Sequence, residues 1–213
     1  CDWSSDVCSS DLLSASQTAA IESTDLAQIT ADAFAALTTG VISTLSGTQV
    51  GALTTDQVKA LTTAQAVALT SVQAAGVTTV QTGSLESGDL NKLTTSAFAA
   101  LQPGVVATLN GTQVGALTTA QVAALTTAQA ASLSGAQLTG LSTAQAAAME
   151  TADLSSLSAS AFGAIGTTAF GGLSQTQVSK LSEAEFAALT TAQASVMSAD
   201  QAGGVTTSQA VKL

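Results

Sequence analysis

Histidine, tyrosine and arginine are missing from this 213-residue chain, and proline occurs once, at Pro103. Without histidine no Ser-His-Asp or Cys-His arrangement can be assembled, so the commonest ways of activating a nucleophile are closed. Charged residues make up 8% of the chain, and four lysines against fourteen acids leave a formal net charge of −10. Such a balance offers no basic footprint for phosphate, which argues against nucleic acid as a partner. No apolar run approaches the ~18–20 residues that span a bilayer, so membrane insertion is not expected. The one tryptophan and both cysteines do occur, but all three sit within the first twelve residues.

What is present is a repeat of eight. With Leu117 as position 1, twenty-six residues from Leu13 to Leu213 fall on that position, and each is Leu, Ile, Val or Met. No insertion or deletion breaks the register. Position 6 is nearly as strict: Leu26, Phe34, Ile42, Val50, Val58, Val106, Val114, Val122, Leu138, Phe162, Phe170, Val178 and Phe186, otherwise mostly Ala, with Thr18 and Thr82 as exceptions. Position 2 is Ser or Thr in most octads, position 5 is usually Gln, and positions 7 and 8 are mostly small. A period this regular is the mark of a solenoid, in which each unit leans on its neighbours.

Positions 2 and 5 together spell S/T-x-x-Q, the capping box. The hydroxyl accepts from the backbone N–H three residues on, and the glutamine reaches back to the cap residue's own N–H. Position 1 and position 6 then stand at N′ and N4, where they form a hydrophobic staple. Pro103 agrees, since it falls on position 3, the first helical residue, where a missing N–H costs nothing. The pattern predicts a helix of one to two turns over positions 3 to 8 of each octad. A helix so short is unstable alone because nucleation is costly. The expected fold is therefore an all-α solenoid of short capped helices, with positions 1 and 6 as its inner seam and small residues where turns meet.

The alternative is a parallel β-solenoid, for which Thr and Val are suitable. Against it, positions 1 and 6 are five apart, so strict alternation would send them to opposite faces. Ala and Gln are also better helix formers than strand formers.

A longer period lies over the short one. Ile21-Glu22-Ser23-Thr24-Asp25-Leu26 returns as Leu85-Glu86-Ser87-Gly88-Asp89-Leu90 and as Met149-Glu150-Thr151-Ala152-Asp153-Leu154. Phe34, Phe98 and Phe162 share the spacing of 64 residues. Residues 21–84, 85–148 and 149–212 thus form three copies of one larger unit. No composition shift or linker separates them, and 13–213 is read as a single repeat domain.

Residues 1–12, CDWSSDVCSSDL, obey none of these rules. At face value Cys1 and Cys8 suggest a disulfide or a metal site. All twelve residues, however, resemble the frame translation of a widely used sequencing adapter, which implies a non-native segment to be set aside like a fusion scar. Setting it aside removes Asp2, Asp6 and Asp11 and leaves eleven acids against four lysines. The rest is then expected to be an internal fragment of a longer reading frame, with any secretion signal outside it.

Candidate chemistry is sparse. Glu22/Asp25, Glu86/Asp89 and Glu150/Asp153 lie three apart, which on a helix brings both carboxylates to one side. Calcium favours oxygen ligands but needs six or more. The pairs are therefore read as acids that complement a helix N-terminus, with Asp in the glutamine slot of the box. Lys59, Lys92, Lys180 and Lys212 are scattered singly and read as solvated charges. Phe34, Phe98 and Phe162 read as core filling beside small Ala positions. Gly40 and Gly104 lack the strand-loop-helix setting of a phosphate loop. No catalytic, cofactor-binding or metal-ligating residue is assigned, and no cofactor is expected.

The stretch LTTAQVAALTTAQAASLSGAQLTGLSTAQ resembles the Thr/Ala/Gln-rich repeat tracts of very large bacterial surface and secreted proteins, the repetitive exoproteins or adhesins. This resemblance covers residues 13–213 and implies a spacer or stalk, a stiff and weakly charged rod without an active site, at the cell surface or outside the cell. No partner is identifiable from the sequence; protein or glycan contacts made through the surface are left open. The alternative is a binding module. There the paired threonines Thr54-Thr55, Thr62-Thr63, Thr118-Thr119 and Thr126-Thr127 line up to meet a glycan, a protein or ice.

Overall fold

A computed structural model of the chain describes residues 17, 18 and 20–212. The segment 1–12, with Cys1 and Cys8, lies outside the described residues. Among those described there are 23 α-helices, each of four to six residues, one 3-10 helix and no strand. The protein is an all-α solenoid of eight-residue units, and the β-solenoid alternative falls.

One octad shows how the sequence makes the unit. Leu117 is buried, and Thr118 is extended at φ −71 and ψ 155. The chain then coils through the helix Thr119–Ala123, and Ala124 closes it before Leu125 begins the next octad. The Thr118 hydroxyl accepts from the Gln121 N–H at 3.1 Å, and Gln121 Oε1 accepts from the Thr118 N–H at 3.0 Å. Two N–H groups that a helix start leaves orphaned are thereby satisfied. Pro103 opens the helix Pro103–Ala107, as its lack of an N–H permits.

Burial follows the octad. Leu117, Gln121 and Val122 are buried, while Thr118, Thr119, Ala120 and Ala123 are exposed. Positions 1 and 6 form the expected apolar seam. Phe34, Phe98 and Phe162 are all fully buried, and Phe162 meets Phe170 edge-on at 6.3 Å and 77°. Ring burial of this kind contributes about 0.5–1.5 kcal/mol beyond its area.

The chain divides into two compact units between Gln102 and Pro103. Within the first, the helix Thr39–Thr44 packs on Thr63–Ala68, and Gly47–Gly51 packs on Ser71–Ala74. Within the second, Thr119–Ala123 packs on Thr143–Ala148, and Gly135–Leu138 on Ala159–Gly163. In both units the partner helix lies three octads further along the chain.

Small residues make that stacking close. A Cβ on Gly76, at position 8, would land directly on the carbonyl oxygen of Gly47, at position 3 of an earlier turn. Gly204 meets the Gln175 carbonyl in the same register, with 2.6 Å to an added Cβ. No described residue has positive φ, so these glycines serve proximity and not a left-handed bend.

The one irregular octad contains one of the two threonines at position 6. Thr82 is fully buried, and its hydroxyl donates to the Thr78 carbonyl at 3.2 Å. Here the α-helix gives way to the 3-10 helix Thr82–Ser84. Local side-chain bonding to the backbone competes with regular helix, and the coil tightens.

Candidate functional site

The polar side chains that recur in every turn converge on one construction, built around position 5. Gln145 is 3% exposed. Its Oε1 accepts from the Ser142 N–H at 2.8 Å, which completes the capping box of its own helix. Its Nε2 donates to the carbonyl of Leu117 at 2.8 Å, 28 positions earlier, and is shared between those of Gly115 at 3.1 Å and Val114 at 3.2 Å, the latter 31 positions earlier. One amide therefore starts its own helix and ties down the carbonyls that end a helix of the preceding turn.

The same register recurs throughout. In the first unit Gln57 donates to Leu26 at 2.7 Å and Ile29 at 2.8 Å, and Gln81 to Val50 at 2.9 Å and Leu53 at 2.8 Å. In the second, Gln137 donates to Val106 and Leu109, both at 2.8 Å, and Gln209 to Val178 at 3.0 Å and Leu181 at 2.7 Å. The targets in these octads are position 6 of one octad and position 1 of the next, with the position 7 carbonyl sharing the bond at Gln65, Gln81, Gln145 and Gln177. A buried primary amide has one acceptor and two donors to place, and this geometry uses all of them. Since an unmade bond to a buried carbonyl costs about 1–3 kcal/mol, the glutamines form a ladder that holds turn to turn.

Sequence reasoning found half of this. The box assigned glutamine to the helix start, and the oxygen is there. The nitrogen's role across the turn, and the burial it requires, were not anticipated. A signal was available in the composition: fifteen of the twenty-five complete octads carry Gln at position 5 and one carries Glu. A capping box accepts either, so the preference asks for a second use of the amide.

The acidic pairs stand at helix starts, with Asp in the glutamine slot. Glu22, Glu86 and Glu150 stand at the N-cap, make no side-chain cap bond and point outward. Asp89 and Asp153 turn inward. Thr63 donates to Asp89 Oδ1 at 3.1 Å, and Thr127 bonds Asp153 in the equivalent place. Burial raises the pKa of both aspartates. The threonine hydroxyl opposes that shift, and the neighbouring glutamate adds to it. Among the described residues no cluster of three or more acidic, histidine or cysteine side chains could hold a metal ion.

The remaining candidates are structural as well. Lys59, Lys92, Lys180 and Lys212 are exposed, and Lys212 pairs with Glu183 at 3.4 Å. Gly40 lies inside the helix Thr39–Thr44 and Gly104 inside Pro103–Ala107. The hydroxyls of Thr54, Thr62, Thr118 and Thr126 cap helices, and Thr63 and Thr127 are engaged by aspartate. Each unit has an interior cleft lined only by apolar side chains, such as Ile42, Val50 and Leu61 in the first and Val114, Leu125 and Leu138 in the second. No helix among the described residues is long and apolar enough to cross a membrane.

No curated protein and no solved structure matches the chain. A family model described as the ALTTAQ repeat matches residues 18–63, 98–135 and 146–183, which together make up more than half of it. Those stretches include capped, glutamine-bearing octads such as those of Gln57 and Gln121, and the chain belongs to the ALTTAQ repeat family.

Proposed function

We propose that the chain is a structural spacer or stalk region of a large bacterial surface or secreted protein, without catalysis of its own. The observation that carries this reading is the use of the recurrent polar groups. Position 2 hydroxyls cap helices, and position 5 amides bridge turns, as with Ser142 and Gln145. The groups that a repeat would have to offer a substrate at regular intervals are thus spent on holding the backbone. What faces solvent is mainly Thr, Ala and Ser with few charges, a surface suited to spacing a distant module. Residues 1–12 are left out of this reading as adapter-derived.

The test is length. Chains with one, two and three copies of the 64-residue unit should lengthen by equal increments in small-angle scattering. A radius that grows like that of a collapsing globule would end the spacer reading. Glycan-array and thermal-hysteresis assays on residues 13–213 address the binding-module alternative, for which the exposed position 3 threonines Thr55 and Thr119 are the remaining argument. A positive result in either assay would move that alternative ahead.

A further inference from the structure

Glu185 is the one glutamate in the glutamine slot. It is 1% exposed, and its Oε2 accepts from the Ser182 N–H at 2.7 Å, completing a capping box as a glutamine would. The other oxygen, Oε1, is buried with no hydrogen-bond partner. The flanking glutamines show what should stand in its place. Gln177 Nε2 donates to Ala146 at 3.0 Å and Met149 at 2.8 Å, and Gln193 Nε2 donates to Ile165 at 2.8 Å. Counting back 31 and 28 residues from Glu185 gives Leu154 and Leu157, so the register brings Oε1 to two carbonyl oxygens. A carboxylate has nothing to donate to them, whereas a carboxylic acid has one O–H.

We propose that Glu185 is a proton-operated rung: protonated, its single O–H closes the ladder to one of the carbonyls of Leu154 and Leu157, and ionised, it opens the ladder there. The charges around it leave the ionised form unsupported. Its helix Glu183–Ala187 packs on Ala159–Gly163 and Thr207–Ala210, neither of which carries a charged residue. The helix that ends at Leu154 brings acids only, Glu150 at the surface and Asp153 buried. Lys180, just before the Glu185 octad, is exposed, and Lys212 is held at the surface by Glu183. Burial accordingly raises the Glu185 pKa, against the lowering effect of its bonds with Ser182. A raised native pKa means that the stability from this rung is present below the ordinary glutamate range and is lost as pH rises through the native value. The turn around Glu185 is then a weak point at neutral pH that acid repairs, in a fold whose other rungs are amides and do not titrate.

The decisive comparison is wild type against Glu185→Gln, a residue that fifteen other octads already accommodate. Melting of the two chains is followed from pH 3.5 to 8. The variant should melt higher at pH 8, by about 2–4 °C for each 1 kcal/mol recovered in a chain of this size, and the gap should shrink towards low pH. Asp89 and Asp153 are common to both chains and cancel. A gap that stays constant across the range overturns the proposal. A second readout is the Glu185 side-chain carboxyl carbon followed by NMR in the wild type. Titration above the ordinary glutamate range supports the rung, and titration within that range overturns it.

Discussion

The octad of Gln65 and the octad of Phe34 belong to the same unit and share a cap, yet they handle position 5 in different ways. In the first, Thr62 and Gln65 form a complete box, and Gln65 Nε2 reaches back to the carbonyls of Phe34 at 3.2 Å and Leu37 at 2.8 Å. In the second, Thr30 accepts from the Ala33 N–H at 3.3 Å, but Ala33 returns nothing, and the adjacent Phe34 is fully buried. The Phe34 octad has no rung of its own and is held by the rung of a later one. Each 64-residue copy contains three consecutive octads of this self-insufficient kind, with Asp, Ala, or Val at position 5, except that the third copy has Ala in the last of them. Polar continuity is therefore interrupted at regular intervals, and at those places bulk apolar packing carries the turn.

The most damaging way to break that contrast is to remove an amide without supplying a ring. Gln145→Ala leaves the Ser142 N–H without its acceptor and the Val114 and Leu117 carbonyls without their donor. At roughly 1–3 kcal/mol for each of the two buried carbonyls left unsatisfied, a loss of about 2–6 kcal/mol is expected. Urea unfolding of the variant, with hydrogen exchange to locate the opening, gives the number. A loss below about 1 kcal/mol would mean that the rungs contribute little.

Backbone proximity comes next. Gly76→Ala drives a methyl into the Gly47 carbonyl, whereas Gly140→Ala, its counterpart in the second unit, meets the Gly111 oxygen at 3.3 Å and requires only a slight shift. The first should cost about 1–3 kcal/mol and the second clearly less. Equal unfolding midpoints for the two would show that the glycine contact is not what sets the spacing of turns.

Removing a cap while sparing the rung has a smaller effect. Ser142→Ala deletes the hydroxyl that accepts from the Gln145 N–H at 3.2 Å and should destabilise by about 1 kcal/mol. Hydrogen exchange should speed up at the helix start and not at the Leu117 and Val114 octads.

Smallest is the aspartate of the self-insufficient octads. The Asp153 pKa is raised by burial, so the protonated form is favoured in the fold, and its contribution is lost as pH rises through the native value. Asp153→Asn, which cannot ionise, should gain stability relative to wild type at pH 7 and lose that advantage by about pH 3. Thermal melts at the two pH values decide it, and an unchanged difference would place the cause elsewhere.

Architecture was legible because it rests on features that local chemistry fixes. The leucine at position 1, the Thr118-type cap and the proline at a first helical position each point to short helices, and period then forces stacking. The acidic pairs were legible as residues of the helix start, Glu22, Glu86 and Glu150 at the cap, but the contacts of Asp89 and Asp153 with Thr63 and Thr127 were not, because they depend on the neighbouring turn. The ladder was not legible in the same way. A bond from Gln57 to Leu26 depends on how many octads complete one turn, which no eight-residue pattern encodes. Nor does glycine content reveal that Gly76 sits on the backbone of Gly47, while Gly83, with nothing within 4 Å of an added Cβ, touches no one.

The rungs join like to like: position 5 to positions 6 and 1, at intervals of 28 and 31 residues. Any glutamine-bearing octad can therefore stand in for another as donor, and any octad as recipient. Excising eight residues, or duplicating them, re-pairs the amides whose bonds straddle the site with equivalent position 6 and position 1 carbonyls, while a one-residue insertion or deletion throws those same bonds out of register. Recombination in steps of eight thereby preserves the bonding register, and the gene can change its length without stranding the rungs on either side of the joint.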